Sequence, residues 1–156
     1  MQEPNALNQV AEFHRTFKHP VLDTPGIPSK ERCALRVSLL AEEVKELQDA
    51  IADNDLVEIA DALCDIQYVL AGAIHEFGLG EKFKALFDEV HRSNMSKACK
   101  SLEEADQTIA HYKLNSNTDS YHQQMEDLYL VYRTPDNKTL KSVNYSPADL
   151  KGILGL

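Results

Sequence analysis

The chain has no apolar run long enough to cross a bilayer. Its longest, such as Val69 to Ile74, fall far short of the roughly 18 to 20 residues that a membrane-spanning helix needs. The opening residues, MQEPNALNQV, show no basic stretch followed by an apolar core. Neither secretion nor membrane attachment is therefore expected, and the expected compartment is the cytoplasm. Cysteine is scarce: Cys33, Cys64 and Cys99 are odd in number, widely spaced and outside any CxxC pair. That excludes a disulfide framework and a zinc site, and leaves buried reduced thiols as the expectation. Positive charge is short as well, with 16 Lys and Arg against 25 Asp and Glu and a formal charge of −9. A nucleic-acid partner is excluded on that ground, because phosphate backbones are bound by basic faces that release their counterions. No internal repeat or low-complexity tract is visible.

What is present suits one domain over residues 1–156. A hydrophobic content of 43% fills a core at this length without staples. Leu7, Val10, Phe13 and Phe17 recur at three- and four-residue steps and predict a first helix from about Pro4 to Lys18. Pro20, Pro25, Gly26 and Pro28 then break the chain into a loop. Ser29 is an N-cap for a second helix to about Ala52, whose apolar stripe is Leu35, Leu39, Leu40, Val44, Leu47 and Ile51. Asp53-Asn54-Asp55 makes a polar turn, and a third helix follows from Asp55 to Phe77 with Gly78 closing it. So short a turn forces an antiparallel pair. A fourth helix is predicted from Glu81 to about Lys100 and a further one from Ser101 to Tyr112. Leu128, Leu130 and Tyr132 alternate with Tyr129 and Val131, then Pro135-Asp136-Asn137 turns toward Thr139–Val143. The fold expected is an all-α antiparallel helical bundle over 1–112, with a C-terminal extension over 113–156 that carries a small β-hairpin.

The acidic residues cluster. On the second helix, Glu42, Glu43 and Glu46 project from one side at about 100° per residue, and on the third Glu58 and Asp61 repeat the three-residue step with Asp65 a turn later. Like charges so spaced cost an isolated helix roughly 0.2 to 0.5 kcal/mol per pair. Lys45 points to another side and does not relieve them. The third helix is apolar around most of its circumference, which predicts burial, and ionised carboxylates are costly to bury uncompensated. Between Asp49 and His75 there is no Arg or Lys to compensate them. A solvated acidic face is the bland alternative. Hard divalent cations are the natural partner for so many oxygens, with one or two carboxylates per ion plus substrate phosphates.

The EEVKE of Glu42–Glu46 followed by the EIAD of Glu58–Asp61 resembles the EExxE and ExxD signature of the all-α nucleoside triphosphate pyrophosphohydrolases, the superfamily of MazG, dimeric dUTPases and phosphoribosyl-ATP pyrophosphohydrolase. The resemblance extends through ALCDIQYVLAGAIHEFG, EFHRTFKHPV, EVHRSNMSK and DNKTLKSVNYSPADL, toward the MazG-like branch, whereas residues 101–127 match no functional motif. It implies hydrolysis between the α- and β-phosphates of a (deoxy)nucleoside triphosphate to monophosphate and pyrophosphate, with Mg²⁺ or Mn²⁺ as cofactor. It also implies a homodimer or dimer of dimers and a house-cleaning role in the nucleotide pool.

On that resemblance, the paired acids Glu43 with Glu46 and Glu58 with Asp61 are metal ligands, and the leftover Glu42 is the base toward the attacking water. Asp65 is either a further ligand or an acceptor that supports one. Arg92, Asn94 and Lys97 are the candidates for the phosphates or the sugar; a solvated basic helix end is the alternative. Phe13, His14 and Tyr68 are the candidates for the base, against ordinary packing. Gly72, within the third helix, fits a close approach by a helix or ligand. A non-catalytic metal-binding dimerisation module is the competing reading, while a di-iron bundle lacks the Glu-x-x-His pairs it needs. Which nucleotide is preferred stays open.

Overall fold

The structure is a computed structural model and describes residues 2–156. Its regular elements are α1 (Ala6–Thr16), α2 (Lys30–Ala52), α3 (Leu56–Glu76), α4 (Gly80–Met95), α5 (Leu102–Ser116), β1 (Ser120–Met125), β2 (Leu128–Arg133) and α6 (Leu150–Leu154). The architecture is all-α with one two-stranded antiparallel hairpin. Among the described residues no helix is long and apolar enough to cross a membrane. The chain gathers into two compact units, Met1–Lys84 and Ala85–Leu156.

In the first unit the capping residues fall where the sequence puts them. Ser29 accepts the Arg32 N–H at 3.3 Å and starts α2; Asp55 accepts the N–H groups of Val57 and Glu58 at 2.9 and 3.2 Å and starts α3. Between them Asn54 takes a left-handed conformation, φ 54°, that amide side chains tolerate. The two long helices therefore run antiparallel along each other, and α1 lies on α3. At the far end Gly78 is left-handed at φ 65°, and a Cβ there would stand 1.9 Å from the carbonyl oxygen of Thr24, so only glycine fits. The loop before α2 is fastened to this end by Leu22 N–H to His75 O and Gly26 N–H to Phe77 O, at 3.0 and 3.1 Å.

The expectation that α3 is buried all round does not hold within the chain. Leu56 and Val57 are 77% and 75% exposed and Leu63 is also open, while its buried residues, apart from Ala62, lie in the stretch from Ala71 to Glu76. Two neighbouring helices cannot cover a helix that is apolar on nearly every side. Nor are all the thiols buried: Cys99 is, Cys33 is half-buried and Cys64 is exposed.

In the second unit α4 stops at Met95, short of the expected Lys100, because Cys99 exchanges two backbone hydrogen bonds with Tyr129, 2.8 and 2.9 Å long. Ser101 caps α5 through the Glu104 N–H, and the helix runs on past Tyr112 to a left-handed Asn117. The hairpin is placed differently from the sequence expectation. β2 pairs with the preceding β1, from Ser120↔Arg133 to Met125↔Leu128, around a turn in which Glu126 has φ 52°. The segment after Pro135 returns to β2 as expected but briefly, through the bridge Tyr132↔Thr139, Arg133 N–H to Lys138 O at 2.9 Å and Leu140 N–H to Val131 O at 2.8 Å. Cys99, Ala105, Val131 and Leu140 form the core of this unit, with Ile109, Tyr112 and Tyr129 packed on it.

Candidate functional site

Antiparallel pairing of α2 and α3 sets the second half of one against the first half of the other, and so brings the two acidic motifs together. Glu43 reports the result. Its carboxyl is pushed above its ordinary range by partial burial first, then by the negative charges of Asp65, Glu46, Glu42 and Asp61 in that order. Acids from both helices thus act on one group, and of the α3 acids Asp65 acts on it most strongly. Glu58 lies a turn before Asp61 and is exposed. No ion pair or side-chain hydrogen bond reaches any of these six carboxylates among the described residues. Lys45 is taken by Asp49 one turn further along α2.

Among the described residues no three of His, Cys, Asp and Glu stand close enough to enclose an ion. Carboxylates that repel one another splay apart. The donor set still suits one class of ion, since it offers oxygen alone and so matches Mg²⁺ or Mn²⁺ rather than a soft metal. The repulsion gathered on Glu43 is what a hard cation would relieve.

The opposite end of the same two helices carries charge of a different kind, which sequence reasoning missed. Glu76 is 1% exposed and takes hydrogen bonds from both Arg32 and Arg36, the Arg32 Nε contact being 2.9 Å. Burial alone pushes the Glu76 carboxyl up, but the two guanidinium groups overcome it and hold the group below its ordinary range. Arg36 also reaches Nε2 of His14 at 3.4 Å, while Nδ1 of His14 donates to Pro20 O at 2.8 Å. His14 is 2% exposed and its pKa is lowered, by burial first, with Arg36 and His19 also lowering it. With both ring nitrogens engaged, it braces α1 from inside. A Cβ on Gly72 would stand 2.8 Å from Nη1 of Arg36 and 2.9 Å from Nε2 of His14, so the close approach expected there is made by these two side chains.

Phe13 and Tyr68 remain open to solvent. Their rings meet edge to face with centres 5.6 Å apart, and Phe17 and His19 complete the group at 4.4 and 6.0 Å from Phe13. Tyr68 stands one turn beyond Asp65, which puts this aromatic surface next to the acids along α3.

In the second unit Arg92 is committed to a two-pronged pair with Glu89, both contacts 2.8 Å, and to Pro147 O at 3.0 Å. Lys97 donates to Oδ1 of Asn94 at 2.8 Å, joining two of the candidate residues.

The family model described as phosphoribosyl-ATP pyrophosphohydrolase matches residues 10–94, more than half of the chain and all of α2 and α3 with their acids. An uncharacterized protein of Acanthamoeba polyphaga mimivirus is 25% identical, over 93% of this chain and 94% of its own.

Proposed function

The chain belongs to the phosphoribosyl-ATP pyrophosphohydrolase family, within the all-α nucleoside triphosphate pyrophosphohydrolases, and from that premise we propose that it hydrolyses a (deoxy)nucleoside triphosphate between the α- and β-phosphates. The products are the monophosphate and pyrophosphate, the cofactor is Mg²⁺ or Mn²⁺, and the role is clearance of surplus or damaged nucleotides in the cytoplasm. The observation that carries this reading is that antiparallel α2 and α3 bring their acids to act on Glu43, with no cation among the described residues paired to them. A stability-driven surface would place lysines among them, as it does at Lys45 and Asp49.

Glu43, Glu46, Glu58 and Asp61 hold the metal in this scheme, and the effect of Asp65 on Glu43, larger than that of Asp61, favours it as a fifth oxygen donor. The metal, when bound, supplies positive charge to the phosphate oxygens and acidity to a coordinated water. Glu42 takes the proton of the attacking water. Phe13 and Tyr68 offer the exposed aromatic surface against which a base stacks, held in place by the buried His14. Within the second unit, Asn94 and Lys97 offer a contact to a phosphate or sugar, and Arg92 fixes the chain around them through Glu89 and Pro147. Leu56, Val57 and Leu63 leave an apolar face that a second copy covers in a homodimer or dimer of dimers.

A pyrophosphate-release screen across canonical and modified nucleotides, with Mg²⁺ and with Mn²⁺, tests the reading. Release from at least one nucleotide, abolished by chelation, is expected. No release from any of them, with either metal, would contradict it.

A further inference from the structure

Two lysines of the second unit, Lys97 and Lys141, have no ion pair among the described residues. Ser142 N–H donates to the backbone oxygen of Lys97 at 3.1 Å, and Lys141 precedes Ser142, so the two lysines flank one hydrogen bond. The segment that carries Lys141 is tied down along its length. Leu140 N–H bonds Val131 O at 2.8 Å, Val143 N–H bonds Oγ1 of Thr108 at 3.1 Å and Ser146 N–H bonds Oγ of Ser96 at 2.9 Å. Tyr145 lies between the lysines and α4: Nζ of Lys141 is 4.2 Å from the centre of its ring, and the Ser93 hydroxyl donates to its oxygen at 3.0 Å. Because Ser93 is the donor, the phenolic O–H remains available to a ligand. The Tyr145 hydroxyl is held below its ordinary range by the Ser93 hydrogen bond first, against burial, and then by Lys141 and Lys97.

The carboxylates of this region are already engaged. Glu89 serves Arg92 and the Asp149 N–H, and Glu104 serves the Ser142 hydroxyl and the Lys100 N–H. Lys97 is bonded to the neutral amide of Asn94, and neither lysine has an ion pair among the described residues. In a chain of formal charge −9, two ammonium groups without an ion pair among the described residues, both acting on the Tyr145 hydroxyl, mark a local field that attracts an anion.

We propose that Lys97, Lys141 and Tyr145 form a binding site for a di- or triphosphate group, in which the C-terminal segment supplies Lys141 and Tyr145 beyond what α4 and its end provide. The proposal deepens the nucleotide reading, on which it rests for the source of the phosphate. Inorganic pyrophosphate, titrated calorimetrically into the full-length protein in EDTA, isolates the site, since without a divalent cation the acids of the first unit repel the probe. The wild type is expected to bind. Lys141→Met weakens binding about tenfold, Lys141→Arg keeps it within about threefold, and Tyr145→Phe, which retains the ring under Lys141, loses about threefold. A wild type that binds no pyrophosphate, or a Lys141→Met variant within twofold of it, overturns the proposal. Hydrolysis is scored separately. Nucleotide turnover with no effect of Lys141→Met on pyrophosphate would sink this site alone. Lys141-dependent binding in a protein that hydrolyses nothing would sink the hydrolase reading and leave the site standing.

Discussion

One pair of helices handles buried or crowded carboxylate charge in two opposite ways. At the end formed by the start of α2 and the end of α3, Glu76 is sealed from water and matched by Arg32 and Arg36. At the other end no cation among the described residues pairs with Glu42, Glu43, Glu46, Glu58, Asp61 or Asp65, and the Glu43 carboxyl is pushed above its ordinary range by burial first and then by the neighbouring negative charges. The first arrangement is what folding stability demands, since a buried charge left alone is expensive. The second is tolerable only where solvent or a bound cation completes it. Where the protein's own charges are complete, the role is structural; where they are one-sided, the proposed function assigns the missing charge to a bound cation.

The largest effect expected from breaking that contrast is at Glu42. Glu42→Gln keeps the shape and removes basicity, and should slow turnover at least about a hundredfold, the low end of general-base assistance, while Mn²⁺ affinity stays near wild type. Single-turnover kinetics beside calorimetric metal titration decides it, and metal affinity lost in proportion to rate would make Glu42 a ligand. At the matched end the loss should appear in stability. Glu76→Gln leaves Arg36 buried without its carboxylate and should cost roughly 3 to 5 kcal/mol in chemical denaturation, with activity per folded molecule kept; a loss below about 1 kcal/mol would show that the arginines find water instead.

Acid sharpens the same point. The Glu76 pKa is lowered in the folded chain, so its contribution is present above the ordinary glutamate range and is lost as pH falls through the folded value. Wild-type stability should therefore drop on acidification more steeply than that of Glu76→Gln in denaturation curves taken from neutral pH downward. Parallel curves would mean that Glu76 is not held ionised by its arginines. The smallest effect is at Gly72. Gly72→Ala gains about 1 kcal/mol of helix propensity but drives a Cβ into side chains that Glu76 and Pro20 pin, a clash worth roughly 1 to 3 kcal/mol. A net loss of up to about 2 kcal/mol is expected, and a variant more stable than wild type would show that Arg36 and His14 move aside freely.

The acid end was legible in the sequence and the matched end was not. Ser29, Asp55 and Gly78 mark helix ends by local chemistry, and the three-residue steps of the acids follow from helical geometry, so both could be read without a structure. Glu76 carries no local sign of its role, because its partners lie 40 and 44 residues away on another helix. The first hairpin strand, Ser-Tyr-His-Gln-Gln-Met, is mostly polar and exposed and lacks the apolar alternation by which strands are recognised, so the pairing of β2 with β1 is not legible in the sequence, whereas its contact with Thr139 and Leu140 is. The bareness of Leu56 and Val57 was hidden for another reason: a sequence shows which faces are apolar but not which of them the chain's own helices cover.

The proposed function requires that the acids of α2 and α3 be assembled for a cation and against stability. Thermal unfolding of wild type and Asp61→Ala, each with and without Mn²⁺ and each assayed for hydrolysis, tests it directly. Asp61→Ala is expected to be at least as stable as wild type in the absence of metal, since one repelling charge is gone, to lack the rise in melting temperature expected of wild type with Mn²⁺, and to lose hydrolysis. A variant that melts earlier, still responds to Mn²⁺ and keeps its activity per folded molecule would contradict the account.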